Sequence, residues 1–328
     1  MSHKSKVGEL NVNYLTDEEI WRIFTTVLST KSVKSSTYKY ALIKSIIENL
    51  YQINDHYELS YDQLAYGCTK VYWNLVVHHD LVKQNRGKNA KAVTDILEFQ
   101  KRYSIPKEFS FDKINSELQL KLVSKIKSVM KTNVFGALYG DTNGHFYAFD
   151  HKREYFKIKS NVHQFMLKYQ LLLVHLTNYH MAKMIEELND IPNINYLLEK
   201  VQTVAKRSSL KPFEEILLHY FEASCFYCGK DLSRENSRTE VDHFIPWSFV
   251  QSDQIWNLVL SCRDCNNSKR DKLPDRGYLN FIIDRNEQLI DRVQDQKVLH
   301  NYKDKKIVML YDYSIQNGFD EIWVPKRG

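Results

Sequence analysis

No stretch of this chain approaches the roughly 20 consecutive apolar residues that a membrane-spanning helix needs, so a membrane protein is not expected. The N-terminal run Met1-Ser2-His3-Lys4-Ser5-Lys6 leads into no apolar core, which argues against an export signal and for a cytoplasmic protein. Cysteine is also sparse. Of five Cys, four stand in two Cys-x-x-Cys pairs and only Cys68 is left over, which in a reducing compartment reads as a metal site plus a bystander, not a disulfide framework. There is no Gly-x-x-x-x-Gly-Lys phosphate loop, so any energy coupling would come from another subunit. Internal repeats and low-complexity tracts are absent as well.

What remains is an ordinary globular composition, 43% hydrophobic and 26% charged over 328 residues, long enough for two or three domains with their own cores. The formal charge of +6 is compatible with a polyanionic partner, a property many soluble proteins share.

The first hundred residues read as amphipathic helices. Thr16-Asp17-Glu18-Glu19 has capping-box form ahead of Ile20, Ile23, Phe24 and Val27; Tyr38 to Ile53 and a segment capped at Ser60 follow in the same pattern. A basic loop from Gln84 to Lys91 could grip phosphates or simply be solvated. The period then switches: Val134 to Tyr139, His145 to Phe149 and Tyr155 to Lys159 are expected as strands of a small antiparallel sheet. Asn161 to Leu188, free of Gly and Pro, is expected as one long helix, with a further helical stretch to about Val204. Tyr278 to Leu299 reads as a helix and Lys306 to Tyr311 as strand-like. The predicted class is α+β, mostly helical, in three regions: a helical domain over 1–110 for recognition or partner docking, a connecting region over 111–210, and a chemistry-bearing domain over 211–328.

The chemistry lies between and just after the cysteine pairs. Two pairs, Cys225/Cys228 with Gly229 directly after and Cys262/Cys265, suit a tetrahedral structural zinc site, in which four thiolates leave no open coordination position. Between them, Glu240-Val241-Asp242-His243 alternates like a short strand and Pro246 ends it, exposing an imidazole that can take a proton from water beside a carboxylate that can hold a divalent cation. Asp55-His56 and Asp150-His151 have no such company and are read as turn or surface residues. The Tyr and Phe residues fall mostly at core spacing, and Trp247 is the tryptophan close enough to line a nucleic-acid groove.

Taken in order, Cys225-x-x-Cys228, Val241-Asp242-His243-x-x-Pro246, Asn257-Leu258-Val259-Leu260, Cys262-x-x-Cys265 and Asn266-x-x-Lys269 resemble the HNH, or ββα-metal, endonucleases. The segment Val241 to Phe249 is similar to the HNH domain of RNA-guided CRISPR nucleases, while the cysteines are more like those of restriction and phage-defence HNH enzymes. The resemblance implies a ββα domain in which His243 is the general base, Asp242 and Asn266 hold the hydrolytic metal, Asn257 braces the catalytic loop, and Lys269, with Arg270 and Lys272, faces the phosphate backbone. Asn in place of His at 266 makes both metal donors oxygen, which favours magnesium or manganese. The expected function is metal-dependent cleavage of DNA, duplex favoured, in restriction or anti-phage defence, held in check by a regulatory partner or by oligomerisation. The competing readings are a zinc-stabilised nucleic-acid binder that does not cleave and an HNH nuclease acting on RNA.

Overall fold

Side-chain caps fix where the first helices begin. Thr16 and Ser60 each accept the backbone N–H three residues on while Glu19 and Gln63 reach back to the cap, closing two capping boxes, each cap contributing about 1 kcal/mol. The computed structural model describes residues 5–29, 32, 36–87, 90–189, 200–201, 209–233, 239–293, 299 and 302–325. The chain divides into two units, Met1–Leu167 with Leu172–Lys206, and Lys168–Leu171 with Arg207–Gly328. Among the described residues no helix is long and apolar enough to cross a membrane.

The first unit packs α1 (Asp17–Leu28), α2 (Tyr38–Glu48), α3 (Tyr61–Trp73), α4 (Lys91–Arg102) and α5 (Ser116–Asp141) with a four-stranded antiparallel sheet. The sheet comprises β1 (Val7–Gly8), β2 (Glu58–Ser60), β3 (Tyr147–Asp150) and β4 (Tyr155–Ile158), in the order β1-β3-β4-β2. Leu42, Leu64, Trp73, Phe135 and Phe156 are fully buried in its core. The Trp73 indole donates to the Phe109 carbonyl at 2.8 Å, so its one polar atom is satisfied. Polar groups placed inside are likewise paired: Lys39 meets Asp141, and Lys44 donates to Asn178 at 3.1 Å.

Two expectations for this unit need correction. Val134 to Tyr139 is not a strand but the last part of α5, because Val134, Phe135 and Leu138 recur at helical spacing and are all buried; packing against α3 overrides their β-propensity. The long helix is two, α6 (Ser160–Lys168) and α7 (Gln170–Asn189), interrupted at Tyr169. The helical stretch expected up to Val204 lies largely outside the described residues.

The second unit contains α8 (Lys211–Tyr220), β5 (Thr239–His243), α9 (Trp247–Val250), β6 (Leu258–Cys262), α10 (Arg263–Lys269), β7 (Leu273–Pro274), α11 (Tyr278–Arg292), α12 (Asp304–Gln316) and β8 (Ile322–Trp323). Strands β5 and β6 pair antiparallel from Thr239↔Cys262 to His243↔Leu258, and α10 follows β6 directly, which makes a ββα element. Lys306 to Tyr311, expected as strand-like, lies inside α12, whose Ile307, Leu310 and Tyr311 fall at i, i+3, i+4 and bury one face. Ile322–Trp323 instead supplies a short parallel partner for β7.

Candidate active site and metal centre

Four sulfurs define one end of the ββα element. The first pair sits on a turn in which the Gly229 N–H bonds the Cys225 carbonyl, and Gly229 takes φ 73°, a conformation glycine adopts without strain. The Phe226 N–H reaches the Leu260 carbonyl, tying this turn to β6, while Cys262 ends β6 and caps α10 by accepting the Cys265 N–H. Two separate segments thus converge, and the four Sγ atoms lie within 4.8 Å of one another. Cys228 and Cys262 stand 3.9 Å apart, close to the ~3.8 Å edge of a tetrahedron with zinc–sulfur bonds of about 2.3 Å. The donor set fits a structural metal such as zinc. Burial holds the Cys225 and Cys265 thiols above their ordinary range, so metal loading must displace protons.

The other end carries Asp242 and His243. They close β5 opposite Val259 and Leu258, and the chain is then fixed by Asn257. That side chain, fully buried, accepts the Ile245 N–H at 2.9 Å and donates to the Ile245 carbonyl at 2.9 Å, while its own carbonyl accepts the Phe244 N–H. Three hydrogen bonds therefore set the backbone immediately after the imidazole. The His243 Nε2 meets Asp253 Oδ1 at 2.8 Å, with both side chains largely withdrawn from solvent. That contact leaves Nδ1 as the ring nitrogen able to accept a proton from elsewhere.

Asp242 is not alone either. Its Oδ2 accepts the Tyr227 hydroxyl at 2.6 Å and the Lys269 ammonium at 2.9 Å. Burial, then the neighbouring carboxylate, raises the Tyr227 phenol well above its ordinary value, so it remains a proton donor. Asn266 donates through Nδ2 to Glu240 Oε2 at 2.7 Å, which fixes the amide and frees its oxygen as a donor to a cation. Glu240 and Asp242, two apart on β5, share one face of the strand.

Asp242, His243, Asn266, Arg270 and Asp271 line one open cleft together with Leu210, Val241, Pro246 and Trp247. Residues bearing an imidazole, a carboxylate, an amide and a guanidinium thus share one lining. Of the residues expected to meet a phosphate backbone, Arg270 is in this lining and two are placed otherwise. Lys269 is wholly buried, bonded to Asp242 and to the His243 carbonyl at 2.7 Å, because α10 folds its last turn onto the end of β5. Lys272 pairs with Glu321 at 2.9 Å, outside the cleft lining.

Three residues of the site were not picked out from the sequence: Asp253, Tyr227 and Glu240. Tyr227 lies inside the first Cys-x-x-Cys and Glu240 two residues before Asp242, so strand and knuckle spacing carry a signal for both. Asp253 is reached only through the loop after α9, whose left-handed Gln251 (φ 48°, ψ 29°) turns the chain back. No pattern of spacing announces it.

Residues 225–275 match the model of a protein family described as HNH endonuclease. No curated protein and no solved structure matches the chain. Since the matched span coincides with the ββα element and its sulfur cluster, the chain carries an HNH endonuclease domain of the four-cysteine form.

Proposed function

We propose that the chain is a metal-dependent endonuclease that hydrolyses phosphodiester bonds of DNA, with duplex DNA as its substrate. The observation that carries this reading is the placement of His243, bonded to Asp253 at 2.8 Å, in one cleft with Asp242 and Asn266. His243 accepts a proton from water at Nδ1, and the Asp253 carboxylate opposite balances the charge that forms on the ring. Asn257 holds the backbone so that the ring stays aimed. Asp242 and Asn266 would hold the catalytic cation, and two oxygen donors favour magnesium or manganese over a softer metal. When bound, such a cation polarises the phosphoryl oxygens and stabilises charge on the departing oxygen. The four-cysteine centre clamps the two segments that carry the site and takes no part in the chemistry.

The buried Lys269 favours a second reading in one respect. A carboxylate already neutralised by an internal ammonium keeps its place without a metal, as a non-cleaving nucleic-acid binder would need. Supercoiled plasmid, single-stranded DNA and RNA, each incubated with the protein and magnesium, separate these readings. Magnesium-dependent DNA cleavage that disappears in His243→Ala supports the first, and tight binding with no cleavage of any substrate supports the second.

A role in restriction or anti-phage defence follows from the similarity of the cysteine-bearing motif to that class of enzyme. The first unit then serves target recognition, or docking of a partner that restrains the nuclease. Restraint by a docked partner predicts that the isolated protein cleaves and that its partner slows it; cleavage unchanged by any partner that binds the first unit would contradict such restraint.

A further inference from the structure

The backbone at Arg270 is held where side chains other than glycine are rarely found. Arg270 has φ 51° and ψ −123°, and the Lys272 N–H bonds the Lys269 carbonyl at 3.0 Å across it. Those dihedrals belong to the first central position of a type II′ turn, which glycine fills by default. The chain puts Gln251 in the left-handed helical region that side chains tolerate (φ 48°, ψ 29°), whereas ψ −123° puts position 270 outside it. At 270 it places arginine, with Cβ strained against the backbone, at the edge of the catalytic cleft.

Charge makes the choice more pointed. Lys269 is held internally by Asp242, and Lys272 pairs with Glu321 outside the cleft lining. Among the described residues, Arg270 is the one permanent cation in the cleft lining, and its guanidinium is tied only through Nε, to the Asn267 carbonyl at 3.1 Å. Its terminal nitrogens remain available. A planar guanidinium offers parallel donors that match two non-bridging phosphate oxygens, and backbone strain concentrates where a side chain must be held in a functional position.

We propose that Arg270 is the phosphate-binding cation of the cleft, taking the phosphodiester beside Asp242, Asn266 and His243, and that the strained turn is kept because it aims this guanidinium. The inference rests on the nuclease reading and, of the three basic residues expected at the phosphate backbone, assigns the contact in the cleft to Arg270 through its strained turn. It also gives the turn a use: relieving it should trade activity for stability.

The test uses the full chain and three variants, Arg270→Gly, Arg270→Lys and His243→Ala, with supercoiled plasmid and magnesium. Arg270→Gly is expected to melt about 2–4 °C above the parent and to cleave at least ~10-fold more slowly. Arg270→Lys should recover only part of that rate, since an ammonium cannot reproduce the fork. In the His243→Ala background, Arg270→Gly should weaken binding of a duplex oligonucleotide and flatten the dependence of log affinity on log salt by about 1. If Arg270→Gly cleaves at the parent rate while His243→Ala is dead, this inference fails and the nuclease reading stands. An Arg270→Gly protein that melts lower and loses activity only in proportion to its folded fraction also refutes it, because arginine would then be structural. Cleavage that survives His243→Ala overturns the nuclease reading itself, and this inference with it.

Discussion

The Asp242 carboxylate and the Lys269 ammonium meet at 2.9 Å in a position from which Lys269 has no exposure to solvent. The contact joins the end of β5 to the end of α10, so the two elements that carry Asp242, His243 and Asn266 are pinned at one point. Lys269 adds a second bond to the His243 carbonyl, and Tyr227 brings the first knuckle to the same carboxylate. An ion pair so deeply placed is weak evidence for stability, because desolvation opposes its Coulomb attraction. Its effect here is on position.

Breaking that contact from one side should therefore be costly. Lys269→Met leaves the Asp242 charge buried without its partner, and a loss of about 3–5 kcal/mol is expected in denaturant unfolding of the zinc-loaded protein. Tyr227→Phe removes one hydrogen bond to a charged group and should cost about 1.5–3 kcal/mol. In the double variant Asp242→Asn/Lys269→Met, part of the first loss should return, and strict additivity would show that the two groups are not coupled.

On the proposed mechanism Asp253 acts on substrate only through His243, so its removal should change turnover more than binding. Asp253→Asn keeps the shape but lets the imidazole turn and no longer balances its charge. A fall in kcat of roughly 10²-fold is expected, a portion of what a general base contributes, with KM nearly constant and zinc content intact. A matching loss of folded protein would assign Asp253 a structural part only.

Much of this candidate site is legible in the sequence because the chemistry proposed for it demands fixed residue types at short spacing. The sulfur pairs, Asp242-His243, Asn257 and Asn266 are each bound to a local element, a knuckle, a strand end or a short helix, and their order survives in the linear text. A lysine three residues after Asn266 resembles a phosphate contact; that the Lys269 side chain turns inward depends on how α10 lands on β5, which no local pattern encodes. Asp253 has the same cause. In the first unit, Val134 to Tyr139 contains β-branched and aromatic residues that suit either a strand or a helix, and the decision came from burial against α3, a contact remote in sequence. The capping boxes at Thr16 and Ser60, being local, were readable in full.

Stripping the metal should unfold the second unit and spare the first. The cluster joins the Cys225 turn to the start of α10, and structural zinc contributes on the order of 10 kcal/mol to small domains at neutral pH. A strong chelator, or Cys228→Ser, is expected to abolish one thermal transition while the helical signal of the first unit persists. A single transition unchanged by chelation would show that the four thiols hold no stabilising metal.

Acid should weaken the first unit through His151. Burial, then the charge of Lys131, lowers its proton affinity below the ordinary value near 6.5; its Nδ1 meets the Tyr61 hydroxyl at 2.9 Å, and its Nε2 is buried. The unfolded chain therefore takes a proton that the folded one resists. Stability from this group is full above about pH 6.5 and declines as pH falls toward the lowered folded value. The unfolding midpoint of the first unit should drop between pH 7 and pH 5, and His151→Phe should flatten that slope. An identical slope in the variant would assign the acid sensitivity elsewhere.

The most direct measurement is plasmid cleavage by the zinc-loaded protein in magnesium, with His243→Ala as its pair. Cleavage by the parent should stop when magnesium is chelated, and a His243→Ala protein that keeps its zinc and its unfolding midpoint should cleave nothing. Equal cleavage by the two proteins, or cleavage indifferent to divalent cations, would contradict it.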